Sequence, residues 1–240
     1  MFLSKPSLKY IVKEQLYYKL KINSGIILFL IPMQLLALFI SYQDTHESSF
    51  GGIVSIKHYS ADPVIQFTLL WAFIIGILVA RRGFNTDMFL ISTRWVSHLS
   101  NILLLLKASI IGGITAILAG VLLRGIASFN YETFFAVDMG ALTLLLAMLV
   151  TSLYIILLAS AGYLAGMLTL VHRSFIIILP VIFFTILFAD SPTGVGTFSN
   201  DVIEFYLQES SFGMFLIKTL VISAIMWAVT ILFSNRLEVE

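Results

Sequence analysis

Four histidines, two lysines set inside apolar runs and an absence of cysteine define most of the chemistry open to this chain. His46 stands in DTHE and His58 in KHY, both in one polar connection. Zinc sites take three or four ligands at defined spacing, and two imidazoles at unspecified distance define no metal site. His98 and His172 stand apart from them. Lys107 and Lys218 each lie about one and a half turns inside an apolar run, close enough to its edge for the ammonium to snorkel to an interface. A substrate-facing role is the alternative for both. Without cysteine there is no disulfide, thiolate ligand or cysteine nucleophile. HExxH, paired intramembrane aspartates and GxxxxGK[ST] are missing. So is any defensible Ser–Lys or Ser–His pairing. The GVG at 194–196 follows no strand and is a loop, not a dinucleotide fingerprint. No Asp, Glu or His falls clearly mid-span, where proton and ion relays place them. The expectation is a protein that is not an enzyme, carries no cofactor or metal and has no nucleic-acid partner.

What must position these residues is a membrane domain. Of 240 residues, 59% are hydrophobic and 11% charged, and mean hydropathy is +1.01. Soluble domains are usually about a quarter charged. A helix crossing roughly 30 Å of hydrocarbon needs about 20 apolar residues. Six segments approach that length, at about 24–42, 63–80, 102–123, 139–163, 174–189 and 212–233. The expected fold class is all-α, a single polytopic domain over 1–240 with six transmembrane helices. The first run reads as a retained span, since residues 1–24 contain no signal-peptide h-region.

Orientation follows from Lys and Arg in the flanks. Lys5, Lys9, Lys13, Lys19, Lys21, Arg81, Arg82, Arg94, Arg173 and Arg236 fall on one side, and only Lys57 and Arg124 on the other. Both termini are therefore expected to be cytoplasmic, in agreement with an even span count. Residues 43–62, 124–138 and 190–211 become external. Residues 1–23 and 81–101 become the substantial cytoplasmic pieces.

Within 1–23, Leu8, Val12, Leu16 and Leu20 recur every four residues, and Lys5, Lys9, Lys13 and Lys21 form another stripe. Tyr10, Tyr17 and Tyr18 suit the headgroup level. This spacing predicts an amphipathic interfacial helix that attracts anionic lipid or contacts a partner. Gly112, Ala116 and Gly120 are spaced by four in the third span, as are Gly162 and Gly166 in the fourth. Small residues at that spacing let helices approach closely in lipid, within one chain or between two. Pro32 and Pro180 should kink or locally unwind the first and fifth spans.

The segment RRGFNTDMFLISTRWVSHLSN, 81–101, is too polar to insert and too apolar for a simple turn. Read as a helix over 86–97, it pairs Phe89 with Thr93, Leu90 with Arg94 and Ile91 with Trp95 at four-residue spacing. Such anchors suit lipid contact or helix-in-groove docking.

A chain of this architecture resembles the permease subunit of an ABC-2 type ABC transporter. The resemblance rests on an even span count, an amphipathic N-terminal helix, one large cytoplasmic connection between spans two and three, and long external loops in the first and last hairpins. That family's coupling helix runs from an acidic residue through apolar residues to small–Pro–small–Arg. Asp87, Met88, Phe89, Leu90, Ile91, Ser92, Thr93, Arg94 and Trp95 resemble it, with Thr93 where proline is common. The resemblance implies a separate ABC ATP-binding subunit, a second permease copy or related permease, and coupling of the ATPase through Asp87, Phe89, Arg94 and Trp95. It also implies a multi-pass protein of the cell membrane, of Gram-positive type, that exports a peptide or antimicrobial-type compound. The alternative is a membrane interaction, assembly or sensor protein with no transport.

Overall fold

The computed structural model describes residues 8–43, 46–50, 54–58, 60–87, 94–130, 140–172, 174–178, 181 and 211–236. Pro32 shapes the start of the bundle. Proline has no N–H to donate to the residue four earlier and its ring crowds that carbonyl. The helix breaks accordingly at Phe29, between α2 (Ser24–Leu28) and α3 (Leu30–Gln43). The Trp71 indole Nε1 donates to the Ile26 carbonyl at 3.0 Å beside this break, which supplies a partner where the helical ladder is disturbed. Pro180 lies outside the described residues.

Before α2 runs α1 (Leu8–Ile22). After α3 comes a two-stranded antiparallel hairpin, β1 (His46–Phe50) and β2 (Val54–His58). Apart from this hairpin the described elements are all helices, as expected of an all-α chain. Three long helices follow: α4 (Asp62–Asp87), α5 (Arg94–Asn130) and α6 (Ala141–Val171). Pro63 sits in the first turn of α4, where its missing N–H costs no helical bond. The last helix is α7 (Phe212–Arg236).

Five stretches among the described residues are long and apolar enough to cross a membrane: Ser24–Gln43, Asp62–Gly83, Trp95–Phe129, Ala141–Val171 and Phe212–Ser234. The chain is thus a multi-pass helical membrane protein. Of the sixth segment expected, 174–189, a single helical turn over 175–178 is described, and most of the rest lies outside the described residues. The helices also outrun their apolar segments. At 1.5 Å per residue, α5 is roughly 55 Å long against about 30 Å of hydrocarbon. Lys107 is exposed on it. Lys107 and Arg124 bracket a stretch roughly 25 Å long, about 5 Å short of the hydrocarbon thickness, so the boundary with the headgroups falls in about the turn before Lys107 and the start of α5 lies at headgroup level or beyond.

α4 is the axis of the core. Trp71, Ala72, Ile75, Val79 and Ala80 on α4 are buried against Leu104, Leu105 and Ala108 of α5 and Ile155, Ala159, Tyr163 and Met167 of α6. The approach of α4 to α6 depends on missing side chains. A Cβ on Gly162 would overlap the Phe73 backbone, one on Gly76 the Ala159 and Tyr163 backbone, and one on Gly166 the Ile77 carbonyl, at 2.8 Å. Ala116 is buried, and Gly112 faces Trp71 and Ile155. Gly120 is looser, with Ala61 at 3.4 Å. Among the glycines of α5, Gly113 lies closest to α6, where a Cβ would overlap Ser152.

Candidate functional site

Polar side chains of four helices converge at one end of the bundle, where α1, α4 and α6 end and α5 starts. On α1, Gln15, Lys19 and Asn23 follow one another at four-residue spacing and all are buried. They flank the apolar face of Val12, Leu16 and Leu20, which packs toward the core. Lys9, Lys13 and Lys21 remain exposed. Lys19 counts among the interfacial charges by sequence, yet it is only 3% exposed. Its ammonium donates to the Ser97 hydroxyl at 2.7 Å and to the Ser97 carbonyl at 3.1 Å. A buried ammonium needs such compensation, because its desolvation costs several kcal/mol (about that order) when unpaired.

On α5, Ser97, His98, Ser100 and Asn101 occupy the first two turns and are all buried. The Ser100 hydroxyl donates to the Ser97 carbonyl at 2.8 Å, with Gln15 Oε1 at 3.3 Å. One turn of α5 thereby holds α1. Its neighbouring face holds α6 through Tyr163. The Tyr163 oxygen lies 2.8 Å from His98 Nδ1 and accepts from Asn101 Nδ2 at 3.1 Å. The Asn101 nitrogen can only donate to the Tyr163 oxygen, whereas the direction of the His98–Tyr163 bond follows the imidazole tautomer. The two rings meet edge to face at 6.2 Å. Asn101 Oδ1 is buried without a partner, as is Asn23 Oδ1.

α4 joins through its last turns. Arg81 Nε donates to the Thr169 hydroxyl of α6 at 3.1 Å, and Arg82 reaches the Ile22 carbonyl at the end of α1 at 3.5 Å. Gly83 lies against Asn101, where a Cβ would come within 2.7 Å of Nδ2. α4 and α5 therefore form the two prongs of a fork, clasped to α1 and α6 at its root. Residues 88–93 join the prongs and lie outside the described residues.

Two of the four coupling residues expected from sequence are terminal helix residues. Asp87 ends α4 and Arg94 begins α5, with side chains beyond what the structure describes, and Phe89 lies outside it entirely. Trp95 is 68% exposed on α5. The helix expected over 86–97 is thus divided between the two prongs at its ends. The hairpin sets His46 directly opposite His58 in register, with Glu47 opposite Lys57. No group of three or more His, Asp or Glu residues positioned for a metal ion occurs among the described residues.

No protein-family model, no curated protein and no solved structure matches the chain. Its functional residues must be argued from geometry alone. What the clasp can do is couple positions, since one turn of α5 cannot shift without disturbing both α1 and α6.

Sequence reasoning passes over the clasp for an identifiable reason. Ser, Asn, Gln and Lys beside an apolar run are ordinary at a membrane surface. The available signal is the four-residue repeat Gln15–Lys19–Asn23 beside the apolar stripe of α1. A second polar contact, Gln34, was equally silent. Its amide donates to Thr68 and Thr115, each at 3.1 Å, which ties α3, α4 and α5 together within the span.

Proposed function

We propose that this chain is the membrane-spanning permease subunit of an ATP-driven exporter of the ABC-2 type, with ATP hydrolysis on a separate subunit. The observation that carries the reading is the fork. α4 and α5 continue beyond their apolar stretches, end at Asp87 and Arg94, and are braced at their root to α1 and α6. A partner pushing on the 87–95 segment would move several spans through hydrogen bonds that are already made. Asp87, Phe89, Arg94 and Trp95 then act as contact residues for the ATPase and do no bond chemistry.

The path of the chain supports six spans with both termini in the cytoplasm. Tyr154 packs on Phe215 and Ser160 on Met226, so residue numbers rise together and α6 and α7 run in the same sense. Two parallel neighbours need a return crossing between them, which is the role assigned to 174–189. The asymmetry of Lys and Arg then places the clasp on the cytoplasmic side. The substrate class assigned is a peptide or antimicrobial-type compound, and the location is the cell membrane of a Gram-positive cell.

The test is affinity purification of the full-length chain from its native membrane, followed by ATP-dependent export in reconstituted vesicles. A phosphate-loop ATPase should copurify, and Phe89→Ala combined with Arg94→Ala should abolish copurification while leaving the chain folded. A chain that keeps its cellular activity with no ATPase present would instead be an interaction or sensor protein.

A further inference from the structure

α1 does not seal against α5 along its whole length. A groove of about 270 Å³ opens between them, lined by Lys9, Val12, Lys13 and Leu16 of α1 and by Leu99 and Leu103 of α5. Its floor is aliphatic. Val12 and Leu16 are buried, Leu103 is half-buried and Leu99 is exposed. Lys9 and Lys13 stand one helical turn apart on the rim, both exposed, and neither makes a hydrogen bond or ion pair among the described residues. Glu14, the acid of α1, does not line the groove.

We propose that this groove binds an anionic phospholipid of the leaflet that faces the clasp. The acyl chain lies on Val12, Leu16, Leu99 and Leu103, and the headgroup phosphate sits between the ammoniums of Lys9 and Lys13. Level supports this occupant. Leu103 and Leu99 precede Lys107 on α5 by about one and two turns, so Leu103 sits at the boundary, Leu99 at headgroup level, and the groove spans the two. Charge supports it too, because two unpaired cations beside an apolar trough complement a lipid that is negative at one end and aliphatic at the other. A peptide would bring backbone N–H and C=O groups to a wall of four aliphatic side chains, where they would go unpaired. The position has a consequence for the clasp. Lys13 and Leu16 bracket Gln15 on α1, and Leu99 adjoins Ser100 on α5, so a bound lipid would steady the α1–α5 contact from outside.

The experiment is native mass spectrometry of the purified full-length protein titrated with phosphatidylglycerol or phosphatidylcholine, counting retained lipid. The unmodified chain should retain phosphatidylglycerol in preference to phosphatidylcholine. Each lysine near a membrane surface contributes roughly fivefold in affinity for anionic lipid. Lys9→Gln together with Lys13→Gln should therefore weaken phosphatidylglycerol retention by roughly 25-fold. Both positions are exposed, so the variant should fold. Leu103→Trp fills the groove and keeps both charges, and it should lose retention as well. Soluble glycerol phosphate should not compete. Unchanged retention in the lysine variant would overturn the proposal. Unchanged retention in Leu103→Trp would reduce the site to surface charge, and competition by glycerol phosphate would reduce it to headgroup binding, either of which overturns it. A protein that retains no lipid, and whose dimer fraction falls in the lysine variant, would show a second copy in the groove and overturn it equally.

Discussion

Replacing Tyr163 by Phe removes a single oxygen from the centre of the clasp. The ring is 1% exposed and packs in the main core, and phenylalanine keeps that packing. The oxygen serves His98 at 2.8 Å and Asn101 at 3.1 Å. Interhelical hydrogen bonds in membrane proteins average about 0.6 kcal/mol each, so two bonds amount to about 1.2 kcal/mol. Asn101 adds to this. Its Oδ1 already lacks a partner, and losing Tyr163 strands the amide nitrogen in the same buried spot, where an unmade hydrogen bond costs roughly 1–3 kcal/mol. The expected destabilisation is therefore about 2–4 kcal/mol. Reversible unfolding of the full-length chain in mixed micelles measures it, and a double-mutant cycle with Asn101→Ala isolates the shared part. The double variant should cost less than the two singles together, because each single breaks the same contact. A Tyr163→Phe variant within about 0.3 kcal/mol of the parent, additive with Asn101→Ala within the usual error of such cycles, would refute the clasp as an energetic unit.

Two further substitutions test the packing and the buried polar contact within the spans. Gly162→Val should prevent α4 and α6 from approaching, because the new Cβ meets the Phe73 backbone and not a movable side chain. Overpacking of this kind costs roughly 1–3 kcal/mol or more, and size-exclusion chromatography of the extracted protein should show loss of the monodisperse folded peak. Gln34→Leu breaks the bonds to Thr68 and Thr115 but retains an apolar side chain of similar size. Both threonines keep intrahelical partners, at Val64 and at Ile111 and Gly112. The cost should accordingly stay near 1 kcal/mol (about two average interhelical bonds), measured by the same unfolding assay.

Hydropathy located the five described spans because apolar length is what the bilayer demands of a crossing segment. It underestimated α4 and α5, since nothing in a hydropathy run ends a helix whose polar continuation is held by neighbouring helices. Arg81, Arg82 and Asn101 read as residues of the cytoplasmic connection outside any helix and are helical residues with partners on α1 or α6. Pro32 was legible because its clash is local and fixed in offset. The hairpin at 46–58 was not, because a short register is set by pairing between segments and not by either segment alone. The glycines divide in the same way. Gly162 and Gly166 carry a four-residue signature, whereas Gly76 and Gly113 stand outside the spaced sets and are recognisable only once Tyr163 and Ser152 are set against them.

The fork poses a mechanical question that the permease reading must answer, namely whether α4 and α5 move as one body or splay at the root. Gly83 and Asn101 are placed to decide it. A Cβ on Gly83 would lie 3.5 Å from Asn101 Cγ, so Gly83→Cys with Asn101→Cys sets two thiols on facing turns of α4 and α5, and thiol titration after oxidation shows whether they have joined. The natural chain has no cysteine, which leaves the pair free of competing thiols. The double substitution also removes the Asn101–Tyr163 bond, so the informative comparison is oxidised against reduced forms of one variant. The hydrogen bonds across the root link α5 to α1 and α6, and α4 to the same two helices. Splaying the prongs would break several of these at once, whereas tilting α4 and α5 together with α1 and α6 breaks none of them. Oxidised and reduced protein should therefore export substrate at the same rate in reconstituted vesicles with the partner ATPase. Export lost on oxidation and recovered with a reductant would mean that the root opens during the cycle, and the clasp would then be a latch instead of a brace.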